Sequence, residues 1–318
     1  MNRFFPAMVA TVMLTSVGYA RQAAAPATAP APAQSIVRDV RDAIAKADFE
    51  GGERILKAFR AEHGDTPEAI EALSWLGRGA LAAKLWNMAD AYAKDAQELS
   101  LAELKRRPLD AEKHLPLALG ASIEVQAFVM ERRDKRADAV YFLNTALETY
   151  KDTSIRTRIQ KNINLLTLEG KPAPALAAQE FLGAKPPSLA ELKGRPVVLF
   201  FWAHWCPDCK MEAPILAKIQ AAYRDQGLVI LAPTQRYGWI AGGRTASVED
   251  ENAYIEQIRD KHYADVEMRV PISDEDFRNY GASTTPTVVL VDRKGIVRLY
   301  HPGRMTEEEL EPRVKEIL

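Results

Sequence analysis

From residue 35 to residue 168 the apolar positions recur at intervals of three and four. Ile55, Leu56 and Phe59 form one such group; Leu73, Leu76 and Ala80 a second; Val125, Phe128 and Val129 a third. That period places them on one face of a helix, so the stretch predicts a succession of amphipathic helices. It is rich in Ala, Leu, Glu, Lys and Arg, and its prolines are confined to positions 67, 108 and 116. Thr66-Pro67-Glu68 predicts a helix start, with Thr66 as the cap and Pro67 in the first turn. Beyond residue 168 the pattern changes. Gly170-Lys171-Pro172-Ala173-Pro174 breaks any helix and predicts a boundary between a region 35–168 and a second region 169–318. Pro196 to Ala203 is an unbroken apolar run, the pattern of a strand covered on both faces. An amphipathic helix is predicted after it, to about Gln226, and Leu228 to Ala232 predicts a second buried strand. Val288 to Asp292 and Ile296 to Tyr300 predict two more strands, joined by a turn at Arg293-Lys294-Gly295. Ser188 with Glu191, and Thr306 with Glu309, have the spacing of capping boxes, the first opening a short helix and the second the last helix.

The first residues read differently. Arg3 precedes Phe4 to Ala20, an uncharged run of 17 residues closed by small residues around Ala20. This predicts a signal peptide over 1–20, and it predicts an exported protein, bacterial and periplasmic. If the segment stayed uncleaved it would serve as a membrane tether. Residues 21–34, nearly all Ala and Pro over most of their length, predict an extended linker. The chain has 318 residues, room for about two domains. Lys and Arg number 42 against 43 Asp and Glu, a net charge of -1, which argues against a nucleic-acid partner. Only two cysteines are present, so a disulfide-stapled scaffold is excluded.

Those two cysteines carry the candidate chemistry. Trp205-Cys206-Pro207-Asp208-Cys209 sits where the apolar strand hands over to a helix. Unpaired N–H groups and the dipole at a helix N-terminus stabilise a thiolate, so Cys206 is expected to be the exposed attacking sulfur. Cys209, one turn later on the same face, is expected to be the inner, resolving thiol. Thiolate attack, a mixed disulfide and internal resolution then make a cycle. Asp208 places a negative charge beside the thiols, which opposes the thiolate and favours a reductant over a disulfide donor. His204 is expected to be an exposed neighbour that tunes Cys206 slightly. His63 and His114 stand alone and are expected to be surface or packing residues.

Residues 200 to 210, Phe-Phe-Trp-Ala-His-Trp-Cys-Pro-Asp-Cys-Lys, resemble the active-site segment of thioredoxin-fold proteins. Residues 170 to 318 more narrowly resemble the exported redoxins that include the thiol:disulfide reductases of cytochrome c maturation. The Gly-Lys-Pro-Ala-Pro opening, Glu212, the helix proline Pro214 and Thr285-Pro286-Thr287 carry that resemblance. It implies a cis peptide at Pro286 that turns the Thr285 backbone toward the cysteines, where a substrate chain would pair with it. It implies substrate-binding roles for Trp205, Thr285 and Pro286, and a catalytic, proton-handling role for Glu212 beside Cys206 and Cys209. Thioredoxin itself places a buried acid six residues before the first cysteine; here that position is Phe200. The helical region resembles tetratricopeptide repeats, through Ala47 to Glu50 with Leu56 and Phe59, and then Leu73, Leu76, Gly77, Ala80, Ala89, Ala93 and Ala96, at an uneven period. The expected architecture is therefore two-domain: an all-α, tetratricopeptide-like N-terminal domain and an α/β thioredoxin-fold C-terminal domain.

The expected function is an exported thiol:disulfide oxidoreductase that reduces disulfides in partner proteins. No cofactor is expected, because nothing in the sequence reads as binding nicotinamide or flavin, so electrons must come from an upstream thiol reductant; Gly242-Gly243 lacks the Lys-Ser/Thr of a phosphate loop. The helical half would be the protein-interaction surface. Thiol peroxidase activity is the weaker reading, since the Pro and Thr that polarise peroxide are replaced by Leu199 and Ala203. A non-catalytic binding or holdase module is a third. A zinc site lacks ligands, with Cys206, Cys209 and at best His204 to hand, so no metal is expected. The loop from Thr234 to Ser247 is long for a connection in this fold, and Tyr237 and Trp239 on it either line a substrate groove or pack the loop down.

Overall fold

A computed structural model describes residues 35–318, which form one compact unit. The expected signal peptide and Ala/Pro linker lie outside the described residues. Seven helices come first: α1 (Ile36–Ala45), α2 (Phe49–His63), α3 (Pro67–Ala82), α4 (Trp86–Leu104), α5 (His114–Arg132), α6 (Arg136–Thr149) and α7 (Arg156–Thr167). Their starts follow local chemistry. Asp48 accepts the Gly51 N–H at 2.8 Å, and Thr66 accepts the Ala69 N–H at 3.2 Å with Pro67 in the first turn. α1, α3, α5 and α7 pack on one another in succession, and each even-numbered helix packs on both its chain neighbours. Small residues permit the close crossings: Gly77 lies against the backbone of Ala89 and Ala93. Leu76, Leu115, Leu119, Ile123 and Leu143 are fully buried, each contributing about 1.5–3 kcal/mol.

The second half is a six-stranded mixed sheet. Its strands are β1 (Glu180–Leu182), β2 (Val197–Phe201), β3 (Val229–Leu231), β6 (Met268–Ile272), β7 (Thr287–Val291) and β8 (Val297–Pro302), in the order β1-β6-β3-β2-β7-β8. β2, β3 and β6 run parallel, and β1, β7 and β8 pair antiparallel at the two sides. β2 is buried at every position because helices cover both faces. Val198 and Phe200 face α8 (Pro207–Tyr223), α9 (Val248–His262) and α11 (Glu307–Lys315); Val197, Leu199 and Phe201 face α10 (Asp274–Asn279) and Leu168. A small hairpin, β4 (Trp239–Ile240) with β5 (Arg244–Thr245), rises from the long loop.

One expected helix is absent. Ser188 and Glu191 do form their reciprocal capping contacts, but Leu189 to Gly194 is a turn. The Gly194 N–H bonds Arg293 instead of continuing a helix, and its φ is +92°. The Thr306–Glu309 box does open α11.

The helical half meets the sheet half along α7. The backbone of α7 approaches Gly281, in the loop after α10, so closely that a Cβ there would lie 2.3 Å from the Lys161 nitrogen. Asn164 Nδ2 donates to the Asn279 carbonyl at 3.4 Å, and Glu169 accepts the Tyr300 N–H at 3.1 Å. Tyr300 Oη donates to the Tyr280 carbonyl at 2.7 Å and so fixes the same loop from below.

Candidate active site

β2 delivers the chain to the sheet's C-terminal edge, and α8 begins at once with Pro207 in its first turn. Cys206 is the helix cap: its Sγ accepts the Cys209 N–H at 3.0 Å. The sulfurs of Cys206 and Cys209 are bonded, with Cα atoms 5.3 Å apart. The Thr285–Pro286 peptide bond is cis, and the Thr285 carbonyl oxygen lies 3.4 Å from Cys206 Sγ. Thr287 donates through Oγ1 to the Thr284 carbonyl at 2.6 Å, which fixes this loop ahead of β7.

Access to the sulfurs is narrower than expected. Cys206 is 2% exposed and Cys209 is fully buried, so Cys206 is not an open sulfur. The Thr285 carbonyl of the cis-proline loop lies against it, while Trp205, its neighbour in the chain, is 42% exposed.

Glu212 lies in α8, one turn beyond Cys209, and is wholly buried. Neither carboxyl oxygen has a hydrogen-bond partner among the described residues. Burial pushes its pKa up to about 7; the Met305 backbone and Arg304 hold it back only in part, and Asp208 adds to the rise. Tyr263, whose hydroxyl is also unpartnered among the described residues, is raised by burial and by Glu212. Its ring packs on Trp202 at 5.1 Å and Phe200 at 6.2 Å. One buried carboxyl group therefore lies one helical turn beyond Cys209. Position 200 is a phenylalanine, and the acid comes from α8 instead.

His204 is also placed differently from expectation. It is fully buried, and its Nε2 sits 3.3 Å from Glu251 Oε1 of α9. Burial lowers its pKa, with Glu251 opposing. Tyr237, Trp239 and Tyr254 surround the imidazole edge-on at 5.5, 5.2 and 5.3 Å. Glu251 has a second task, accepting the N–H groups of Tyr237 at 2.5 Å and Gly238 at 2.9 Å. That ties the long loop down, and Trp239 stacks on Trp205 at 6.2 Å. Tyr237 and Trp239 thus pack the loop down against His204 and Trp205. Glu251 has no local sequence signal, because its partners lie 47 and 14 positions away. His114 is likewise not alone: its Nδ1 lies 2.6 Å from Glu71.

A strand-to-helix cysteine pair, a cis-proline loop against it and helices on both sheet faces define a thioredoxin-like redox domain. Residues 168–318 match the Redoxin family model. Relatives of this half are thiol-disulfide oxidoreductases and thioredoxin-like proteins. The chain is 29% identical over 147 residues to the thioredoxin-like protein YneN of Bacillus subtilis (strain 168), covering 46% of this chain and 78% of YneN. It is 25% identical over 148 residues to the thiol-disulfide oxidoreductase ResA of Geobacillus thermodenitrificans (strain NG80-2), covering 46% of this chain and 77% of ResA. Among solved structures it is similar to a thiol:disulfide interchange protein of the thioredoxin family from Chlorobium tepidum TLS, at 21% identity and a TM-score of 0.37, covering 47% of this chain and 97% of that one.

Proposed function

We propose that the chain is an exported thiol:disulfide oxidoreductase that reduces disulfides in partner proteins through Cys206 and Cys209. The observation that carries this is the Cys206–Cys209 pair capping α8, with the Cys209 N–H aimed at Cys206 Sγ and the Thr285 carbonyl beside it. That N–H and the helix terminus favour the Cys206 thiolate. In the dithiol form the Cys206 thiolate attacks one sulfur of a substrate disulfide and releases the other as a thiolate. Cys209 then loses its proton and attacks Cys206 Sγ, which expels the reduced substrate and closes the internal disulfide. Glu212 is the buried base and acid for the Cys209 proton. An upstream thiol reductant supplies the two electrons that restore the dithiol. The backbone at Thr285 and Pro286 holds the substrate chain as an added strand, and Trp205 contacts the residues around its cysteine.

We read residues 35–168 and 169–318 as two domains. The succession of α1, α3, α5 and α7 supports a tetratricopeptide-like array that serves as a protein-interaction surface. Export to the periplasm rests on the N-terminal leader pattern over 1–20.

The test is a redox titration with Cys209→Ser alongside. Trp205 fluorescence in thiol/disulfide buffers is expected to give a potential near or below about -230 mV. Cys209→Ser, with Cys206 reduced, is expected to accumulate a mixed disulfide with a disulfide-bonded protein substrate, visible as a mass adduct, and Cys206→Ser to form none. A potential near about -120 mV would make the protein a disulfide donor. Adducts that form on Cys206→Ser instead would reverse the two roles.

A further inference from the structure

The helical half holds a cavity of about 680 Å³ between the end of α3, the start of α4 and α5. That is the size of a ligand-scale site. Leu81, Trp86 and Phe128 give it an apolar floor, and Arg78, Lys84 and Arg132 stand around it. Its one carboxylate, Glu124, is already engaged. Arg158 Nε lies 3.1 Å and Lys161 Nζ 2.8 Å from Glu124 Oε2, both from α7, while Arg78 Nε is 4.0 Å from the other oxygen. Burial raises the Glu124 carboxyl, but Arg158 and Lys161 outweigh it and hold the pKa at about 2. Arg78 also stacks on Trp75 at 4.2 Å, with Arg41 over the same ring at 4.3 Å. Burial and the nearby Arg158 both oppose the charge on Arg78. Arg132 pairs with Glu131 at 3.4 Å, and Lys84 has no ion pair among the described residues. Glu71 is occupied by His114. Cations are thus crowded here beyond what the local carboxylates neutralise, in a chain whose net charge is -1.

We propose that this cavity between α3, α4 and α5 binds an acidic peptide segment of a partner protein, with its carboxylates on Lys84, Arg132 and Arg78 and an apolar side chain on Trp86 and Phe128. The proposal rests on reading the helical half as a protein-interaction surface and names the chemistry of what it holds. Charge complementarity selects the anion, and the apolar floor selects a carrier with a hydrophobic side chain. A nucleic acid or an anionic bilayer would need cations on an open stripe. Here they ring a recess.

The test uses the full chain and a short fluorescent peptide of acidic residues around one phenylalanine. Its control has asparagine and glutamine in place of the acids. Anisotropy is expected to show saturable binding of the acidic peptide only, weakening as salt rises. The double variant Lys84→Glu, Arg132→Glu, at the exposed rim, is expected to weaken binding at least about tenfold. Arg78→Gln is expected to weaken it as well; should that variant fail to fold, the rim variant decides alone. Turnover of a small-molecule disulfide is measured on the same samples and is expected to be unchanged by the rim variant. Loss of redox activity in the parent chain would therefore be seen separately from loss of peptide binding. No binding, equal binding of the neutral peptide, or an unaltered rim variant would overturn the proposal. So would anionic vesicles or an oligonucleotide that bind in the peptide's place and lose binding in the rim variant.

Discussion

Glu212 sets a pH dependence that can be worked from its position. The carboxyl group is wholly buried and unpartnered among the described residues, and its pKa stands at about 7 against an ordinary 4.5. The folded protein therefore holds a proton that the unfolded chain releases between pH 4.5 and 7. Folding stability falls as pH rises through that window, because the native state binds more protons there. Two and a half pH steps at about 1.4 kcal/mol each make the penalty about 3 kcal/mol above pH 7. Glu212→Gln keeps the shape and removes the titration. In the oxidised protein it is expected to gain about 3 kcal/mol over the parent between pH 4.5 and pH 8.5. Urea unfolding, followed by tryptophan fluorescence with the disulfide intact, reads this difference. Parallel stability curves for parent and variant across that range would refute the reasoning, since Glu212 would then titrate alike folded and unfolded. The same variant is expected to slow disulfide exchange at pH 7 about tenfold or more if the carboxyl carries the Cys209 proton.

Gly281→Ala is expected to destabilise by at least about 2 kcal/mol, because its Cβ meets Lys161 backbone at a φ of +61° and no side chain can move aside. Thermal unfolding checks it, and hydrogen exchange should show α7 opening first. Glu251→Ala strips two N–H groups of their acceptor at about 1–3 kcal/mol each. The loop from Thr234 to Ser247 is expected to become protease-sensitive and the near-UV signal of Trp205 and Trp239 to weaken; an unchanged digest would refute the clamp. Glu124 has the opposite sign to Glu212. Its pKa of about 2 makes it stabilising above pH 4.5, an effect lost as pH falls from 4.5 to 2. Glu124→Gln is expected to cost about 3–5 kcal/mol at pH 7, with the gap closing in acid on the same unfolding assay.

What the sequence made legible was what sequence neighbours decide. The apolar run of β2 reads as a strand covered on both sides, and it is buried throughout. Cys206 falls at a strand-to-helix junction, and Thr306 with Glu309 opens α11. What it hid depended on distant chain. His204 looked exposed because its cover comes from Tyr237, Trp239, Tyr254 and Glu251, all brought in by a loop and α9. Cys206 looked open because the residues that shield it lie 79 positions on. The Ser188–Glu191 spacing met its capping partners without a helix behind it, since a cap needs residues after it that prefer to continue. A proton-handling role for Glu212 was suggested by the resemblance to the redoxins, but its lack of partners could come only from packing.

The seam at Gly281 sets a manufacturing tolerance on the whole molecule. Two backbones meet there with no side chain between them, so neither surface can be redrawn without the other. A redoxin domain transplanted onto a different helical array would need a glycine at this point or a wider gap. Conversely, the side of this seam contributed by the helical array is the backbone of α7. The loop that carries this seam runs five residues further to Pro286, so the fit of one half is written into the alignment of the other's sulfur chemistry.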